Sequence, residues 1–199
     1  ISIASREYGQ PAELVVEYTP AAADDGYTLA LQQGLNMVSV PVCPEDASLD
    51  TILAPVSHQL IRVWTYDPLD AEDPWKRYEP GAASNTLETL ESGRGYWVEM
   101  ASPAEVHLEG AACPQRVVDL RAGWNLVGYL SQIEADAAPV LASAGDALDV
   151  VWHYDATDRA DPWKRYSVEA PAWSNDLQVL RPGAGYWMLT NRDCQLAFP

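Results

Sequence analysis

Phenylalanine occurs once in this 199-residue chain, lysine twice, and histidine and cysteine three times each. No run of 18 or more apolar residues exists, so no segment is long and apolar enough for a helix to cross a bilayer. Cations are scarce as well. Lys and Arg number 12 against 29 Asp and Glu, a formal charge of −17 that nucleic acid and anionic membrane surfaces repel. His58, His107 and His153 show no metal-ligand spacing, and no Ser or Cys sits in a nucleophile-elbow pattern. A glycosidase needs two facing carboxylates, and nothing singles out a pair among the 29. The sequence therefore points to no catalysis. What is plentiful is eight Trp and ten Tyr, whose polar handles suit half-buried positions and contact surfaces better than a sealed interior.

Both lysines belong to one repeated stretch. Asp73-Pro74-Trp75-Lys76-Arg77-Tyr78 returns unchanged 88 positions later as Asp161-Pro162-Trp163-Lys164-Arg165-Tyr166. A six-residue identity at one offset marks a tandem duplication, and one copy can be laid on the other. Copy 1 covers 27–110 and copy 2 covers 113–199, with 20–26 as linker. Leu31, Gly34 and Asn36 are matched by Leu120, Gly123 and Asn125, where Gly and Asn predict a tight hairpin. A short helix is expected over Ser48–Val56 and over Asp136–Ala144, bounded by Pro55 and Pro139. The strand Leu60–Asp67 matches Leu148–Asp155, and its Trp64 and Tyr66 share a face, as do Trp152 and Tyr154. Gly95-Tyr96-Trp97 and Gly185-Tyr186-Trp187 open the last strand pair. Short strands with turns between them predict an all-β, mainly antiparallel chain: two tandem small β-sandwich or barrel modules, each with one short helix.

The motifs Gly123-Trp124-Asn125-Leu126-Val127, Val151-Trp152-x-Tyr154-Asp155, Asp161-Pro162-Trp163-Lys164 and Gly185-Tyr186-Trp187 resemble a secreted module of Chloroflexi-type bacterial surface proteins. Copy 1 departs from that pattern at Leu35, Thr86 and Ser92. The resemblance implies an extracellular module and no activity. Residues 1–19, with Ser5-Arg6-Glu7, Pro11 and Leu14–Tyr18, resemble the closing strands of a disaggregatase-related carbohydrate-binding module. That implies a preceding domain, or a strand donated to another chain. The alternative is an N-terminal hairpin packed on copy 1.

Three constellations remain. Asp67, Asp70 and Asp73 are spaced by three, and Asp155, Asp158 and Asp161 repeat the spacing. Three carboxylates on one loop repel unless neutralised. A weak extracellular Ca2+ site would do this, and so would Asx turns balanced by Lys76 and Arg77. Cys113 and Cys194 stand at the two ends of copy 2 without counterparts in copy 1, which reads as a disulfide with Cys43 left reduced, or else as buried thiols. Among the aromatics, Trp75 and Trp163 recur in both copies, whereas Trp124 and Trp173 occur in copy 2 only. These four are the candidate ligand contacts. Two functions follow: a non-catalytic extracellular structural or adhesive module, partnered by other protein subunits or cell-envelope components, or a carbohydrate-binding accessory contacting polysaccharide.

Overall fold

The computed structural model describes residues 26–199, so the strands expected before Pro20 lie outside the described residues. Copy 1 is built from β1 (Gly26–Leu31), β2 (Gly34–Ser39), β3 (Val42–Cys43), α1 (Leu49–Leu53), β4 (Leu60–Tyr66), β5 (Trp75–Tyr78), β6 (Gly95–Met100) and β7 (Ala104–Glu109). A short β8 (Ala111–Ala112) leads out of it. Copy 2 follows as β9 (Val117–Leu120), β10 (Gly123–Gly128), β11 (Ala135–Asp136), α2 (Ala137–Leu141), β12 (Leu148–Tyr154), β13 (Trp163–Ser167), β14 (Val179–Leu180), β15 (Gly185–Thr190) and β16 (Cys194–Ala197). The architecture is all-β and antiparallel, with two short helices.

Each copy is a small sandwich. One layer is a four-stranded sheet, in the order β2-β6-β4-β5 in copy 1 and β10-β15-β12-β13 in copy 2. The other layer is a strand pair, β1 with β7 or β9 with β16, beside the helix. Alternation along the strands divides the side chains. In copy 1, Val38, Val63, Tyr96 and Val98 turn inward to meet Leu31, Leu53, Val106 and Leu108 in one core. In copy 2, Val127, Val151, Tyr186 and Met188 meet Leu120, Leu141 and Leu196. The helices are short for a local reason. Pro55 has no N–H to continue the ladder, so α1 tightens into a 3-10 turn over Ala54–Val56. Pro139 sits in the first turn of α2, where its N–H would be unbonded anyway.

Two expectations are corrected. Gly34 and Gly123 do adopt positive φ, 90° and 100°, but they do not close a hairpin. β1 pairs with β7 while β2 pairs with β6, so the chain turns a corner from one layer to the other. The buried Asn36 staples that corner. Its Oδ1 accepts the Gln32 N–H at 2.7 Å and its Nδ2 donates to the Gln32 carbonyl at 2.8 Å. Asn125 does the same with Arg121 at 2.9 and 2.8 Å.

The disulfide is the second correction. It joins Cys43 to Cys113, with Cα atoms 5.0 Å apart, and Cys194 is a half-buried free thiol. The reason is a ladder that local sequence does not announce. β8, leaving copy 1, returns to pair with β3 and sets Ala112 opposite Val42, which brings Cys113 to Cys43. Cys194 instead lies opposite Leu120 in the β9–β16 pair.

Candidate functional site

A four-stranded sheet has a second face, and here it is aromatic. In copy 1, Trp64 of β4 lies opposite Trp97 of β6, which lies opposite Met37 of β2. In copy 2, Trp152, Trp187 and Leu126 hold the same places. The two aromatic faces pack against each other, so that Met37, Trp97 and Leu126 are buried together with Trp64, Tyr66, Tyr154 and Trp187 around them. Contacts occur in symmetric pairs. Trp97 meets Tyr154 at 5.5 Å between centroids, and Trp187 meets Tyr66 at 5.4 Å. Trp97 meets Trp163 at 5.9 Å, and Trp187 meets Trp75 at 5.7 Å. The copies are therefore related by an approximate two-fold axis, with residue i of one touching residue j of the other and the reverse.

Backbone joins them at the edge of this seam. Ser39 N–H donates to the Gly183 carbonyl at 2.8 Å, and Gly128 N–H donates to the Gly93 carbonyl at 2.9 Å. So close an approach explains the shared Gly-Tyr-Trp motif. A Cβ at Gly95 would stand 2.9 Å from the Val127 carbonyl oxygen, and one at Gly185 would stand 2.6 Å from that of Val38.

The seam is not closed along its whole length. It opens as a groove of about 740 Å3 lined by Tyr66, Trp75, Trp124, Trp152, Trp163 and Trp187. Trp75, Trp124 and Trp163 remain 44, 42 and 42 % exposed. Of the four candidate contacts, Trp75, Trp124 and Trp163 thus converge, while Trp173 stands apart, 87 % exposed on a short 3-10 turn. Tyr66, Trp152 and Trp187 were not singled out as contacts by the sequence. Their signal was present in β4, β12 and β15, where Trp or Tyr occupies the face opposite the core residues Val63, Val151 and Met188, as happens when a sheet is covered on both sides.

Two arginines edge the aromatics. Arg62 lies over Trp64 at 5.8 Å and Arg165 over Trp152 at 5.7 Å. Arg62 is held between carboxylates, with its Nε 3.0 Å from Glu99 but off the hydrogen-bonding direction, and its Nη1 3.9 Å from Glu79.

The Asp loops join β4 to β5 and β12 to β13, and they are built alike. Asp70 Oδ1 accepts the N–H groups of Glu72 and Asp73 at 3.2 and 3.0 Å, and Asp158 Oδ1 accepts those of Ala160 and Asp161 at 3.2 and 3.1 Å. Asp67 and Asp155 accept from Leu69 and Thr157. The second oxygen of Asp70 takes the Lys76 ammonium, and that of Asp158 takes Lys164 at 2.8 Å. Asp73 and Asp161 lie 3.8 and 3.6 Å from those lysines. The cation beside the carboxylates is the chain's own lysine, and its hydrogen bond holds Asp70 and Asp158 below the usual carboxylate range. Among the described residues no group of three or more His, Cys, Asp or Glu is arranged to hold a metal ion.

The histidines do not converge. Only His153 is half-buried, and that burial pushes the imidazole below its ordinary value. No protein-family model, curated protein or solved structure matches this chain, so its function is argued from this geometry.

Proposed function

We propose that this chain is a non-catalytic extracellular adhesive module that grips a cell-envelope component or another subunit through the aromatic groove of its seam. The observation that carries the reading is three tryptophans left about two-fifths exposed on one groove. Contiguous exposed apolar surface is unfavourable in water, and in a soluble protein it marks a place of contact. The seam also suits the task mechanically. A ligand between two sheets that share one buried layer meets preorganised walls, which lowers the ordering cost of binding. An extracellular setting is supported by the Cys43–Cys113 disulfide and the strongly acidic surface.

A carbohydrate-binding accessory is the second reading, favoured by the exposed Trp faces on which pyranose rings stack. Retention of the purified protein on insoluble envelope material tests the first reading. Trp75→Ala/Trp124→Leu/Trp163→Ala should abolish retention while leaving the circular dichroism unchanged, and full retention by that variant would remove the groove from the function. A polysaccharide panel followed by Trp fluorescence tests the second, which requires a saturable shift.

A further inference from the structure

We propose that the groove binds a quaternary ammonium group, the N-methylated cation carried by choline and related compounds. The inference rests on the adhesive reading above and names what the partner presents. Among the described residues the groove is lined by aromatics alone: Tyr66, Trp75, Trp124, Trp152, Trp163 and Trp187. None of these described residues brings a carboxylate, amide or aliphatic hydroxyl, so a ligand rich in hydrogen-bonding groups would find few partners on entry, at a cost. A neutral sugar carries several hydroxyls and a primary ammonium three N–H donors. A quaternary ammonium carries a charge and no donor, and it is attracted to ring faces within about 6 Å.

The rings are also set as walls rather than as a platform. Tyr66 meets Trp75 at 71°, Trp75 meets Trp187 at 68°, Trp124 meets Trp187 at 85° and Trp152 meets Trp163 at 87°. No two of these neighbours are coplanar, as a row of stacked pyranoses would require. Rings turned to one another at steep angles give the open groove a notched aromatic surface instead, which suits a compact rounded group.

Charge agrees at long range. The chain carries −17, and the loop joining Tyr66 to Trp75 holds Asp67, Asp70, Glu72 and Asp73. Asp67 faces Arg94, and Asp70 and Asp73 face Lys76, so that four carboxylates meet two cations and the loop stays net negative. That field raises the local concentration of a cation and lowers that of an anion. The molecule already shows one lining ring accepting a cation, since the Arg165 guanidinium lies over Trp152 at 5.7 Å. Arg165 is also a charge that opposes a cation on the same ring, and it makes no ion pair among the described residues. Its removal should therefore tighten binding.

The test is a proton NMR titration of choline with the whole protein, read on the methyl signal, which ring currents move upfield inside an aromatic enclosure. A saturable upfield shift is expected, reduced by added salt, with the neutral carbon isostere dimethylbutanol binding several-fold more weakly. Trp124→Leu copies the residue of copy 1 at a two-fifths exposed site, and it should weaken choline roughly tenfold. Trp173→Ala should change nothing, and Arg165→Gln should tighten binding a few-fold. Absence of a saturable shift, equal binding of dimethylbutanol, or a Trp124→Leu variant that binds as wild type overturns the proposal. If choline fails while the triple groove variant still loses retention on envelope material, the adhesive reading stands and the ligand class falls. If retention survives in that variant too, both fall. An oligosaccharide that binds where choline does not assigns the groove to glycan.

Discussion

Copy 1 and copy 2 agree in most of what holds the seam and differ in what the seam shows to solvent. The Gly-Tyr-Trp strands, the Asn corners and the lysine-filled Asp loops recur contact for contact. Around the groove the copies diverge. Trp124 stands where copy 1 has Leu35, and Trp187 is half-buried where Trp97 is only 8 % exposed. Arg62 over Trp64 is flanked by Glu79 and Glu99. Their places in copy 2 are taken by Ser167 and Leu189, leaving an open aromatic wall. Duplication gave two equal sheets whose apolar faces must cover each other. Divergence on one side leaves part of that face open to solvent.

The largest effect should come from the disulfide, which ties copy 1 to the residue that opens copy 2 and has no counterpart among the described residues. Cys43–Cys113 closes a separation of 70 residues, which the chain-entropy account values at about 4 kcal/mol. Cys43→Ser should lower the denaturation midpoint accordingly, with Cys194→Ser close to wild type. Equal losses in urea titrations, or an unreduced digest linking Cys113 to Cys194, would contradict the asymmetry.

The matched tryptophans come next. Trp97 is buried and touches both Tyr154 and Trp163 across the seam. Its replacement by Ala should cost about 3 kcal/mol, and Trp187→Ala should cost clearly less, because part of that ring already faces water. Unfolding free energies of the two variants check this. Equal costs would mean that the groove side is packed as tightly as its counterpart.

Much of this organisation was legible in the sequence. The repeat gave the copies, alternation gave the strands, and one of the two readings of the Asp loops, Asx turns balanced by Lys76 and Arg77, named the lysine that bonds Asp70. The seam was not legible. A two-residue period says that Trp64 and Tyr66 share a face, but not that this face meets its own duplicate. The same limit hid the β3–β8 ladder and hence the cysteine pairing. Both are contacts of long sequence separation, for which local pattern carries no register. The Gly34 corner failed differently: its glycine and asparagine were read correctly as turn residues, but a corner and a hairpin use the same chemistry.

Where the copies agree, a smaller response is expected. Asp70 and Asp158 are each satisfied by two backbone N–H groups and one lysine. Millimolar calcium should therefore leave the melting midpoint unmoved, since only a ligand that prefers the native state raises it. A rise with calcium that vanishes in Asp70→Asn/Asp158→Asn would show that the lysines yield to a metal.

A last, small difference separates the copies by pH. Thr65 and His153 hold equivalent places and bond the same atom: Thr65 Oγ1 donates to the Gly95 carbonyl at 2.7 Å, and His153 Nδ1 lies 2.8 Å from that of Gly185. His153 packs against Tyr186 at 5.1 Å, with Asp155 and Arg181 as the charges that act on it. Burial is the main influence and pushes its protonation below the ordinary value near 6.5, so the folded imidazole is neutral. The unfolded chain then binds the proton more readily than the folded one. Its contribution is complete above pH of about 6.5 and is lost as pH falls through the depressed folded value. Threonine does not titrate, so His153→Thr should gain stability relative to wild type on going from pH of about 7.5 to about 5.5, a range in which ordinary carboxylates remain ionised. Denaturant titrations of both proteins at the two pH values measure that difference. A difference that stays constant with pH would mean that folding leaves the proton affinity of the imidazole unchanged, and that the two copies respond alike to acid.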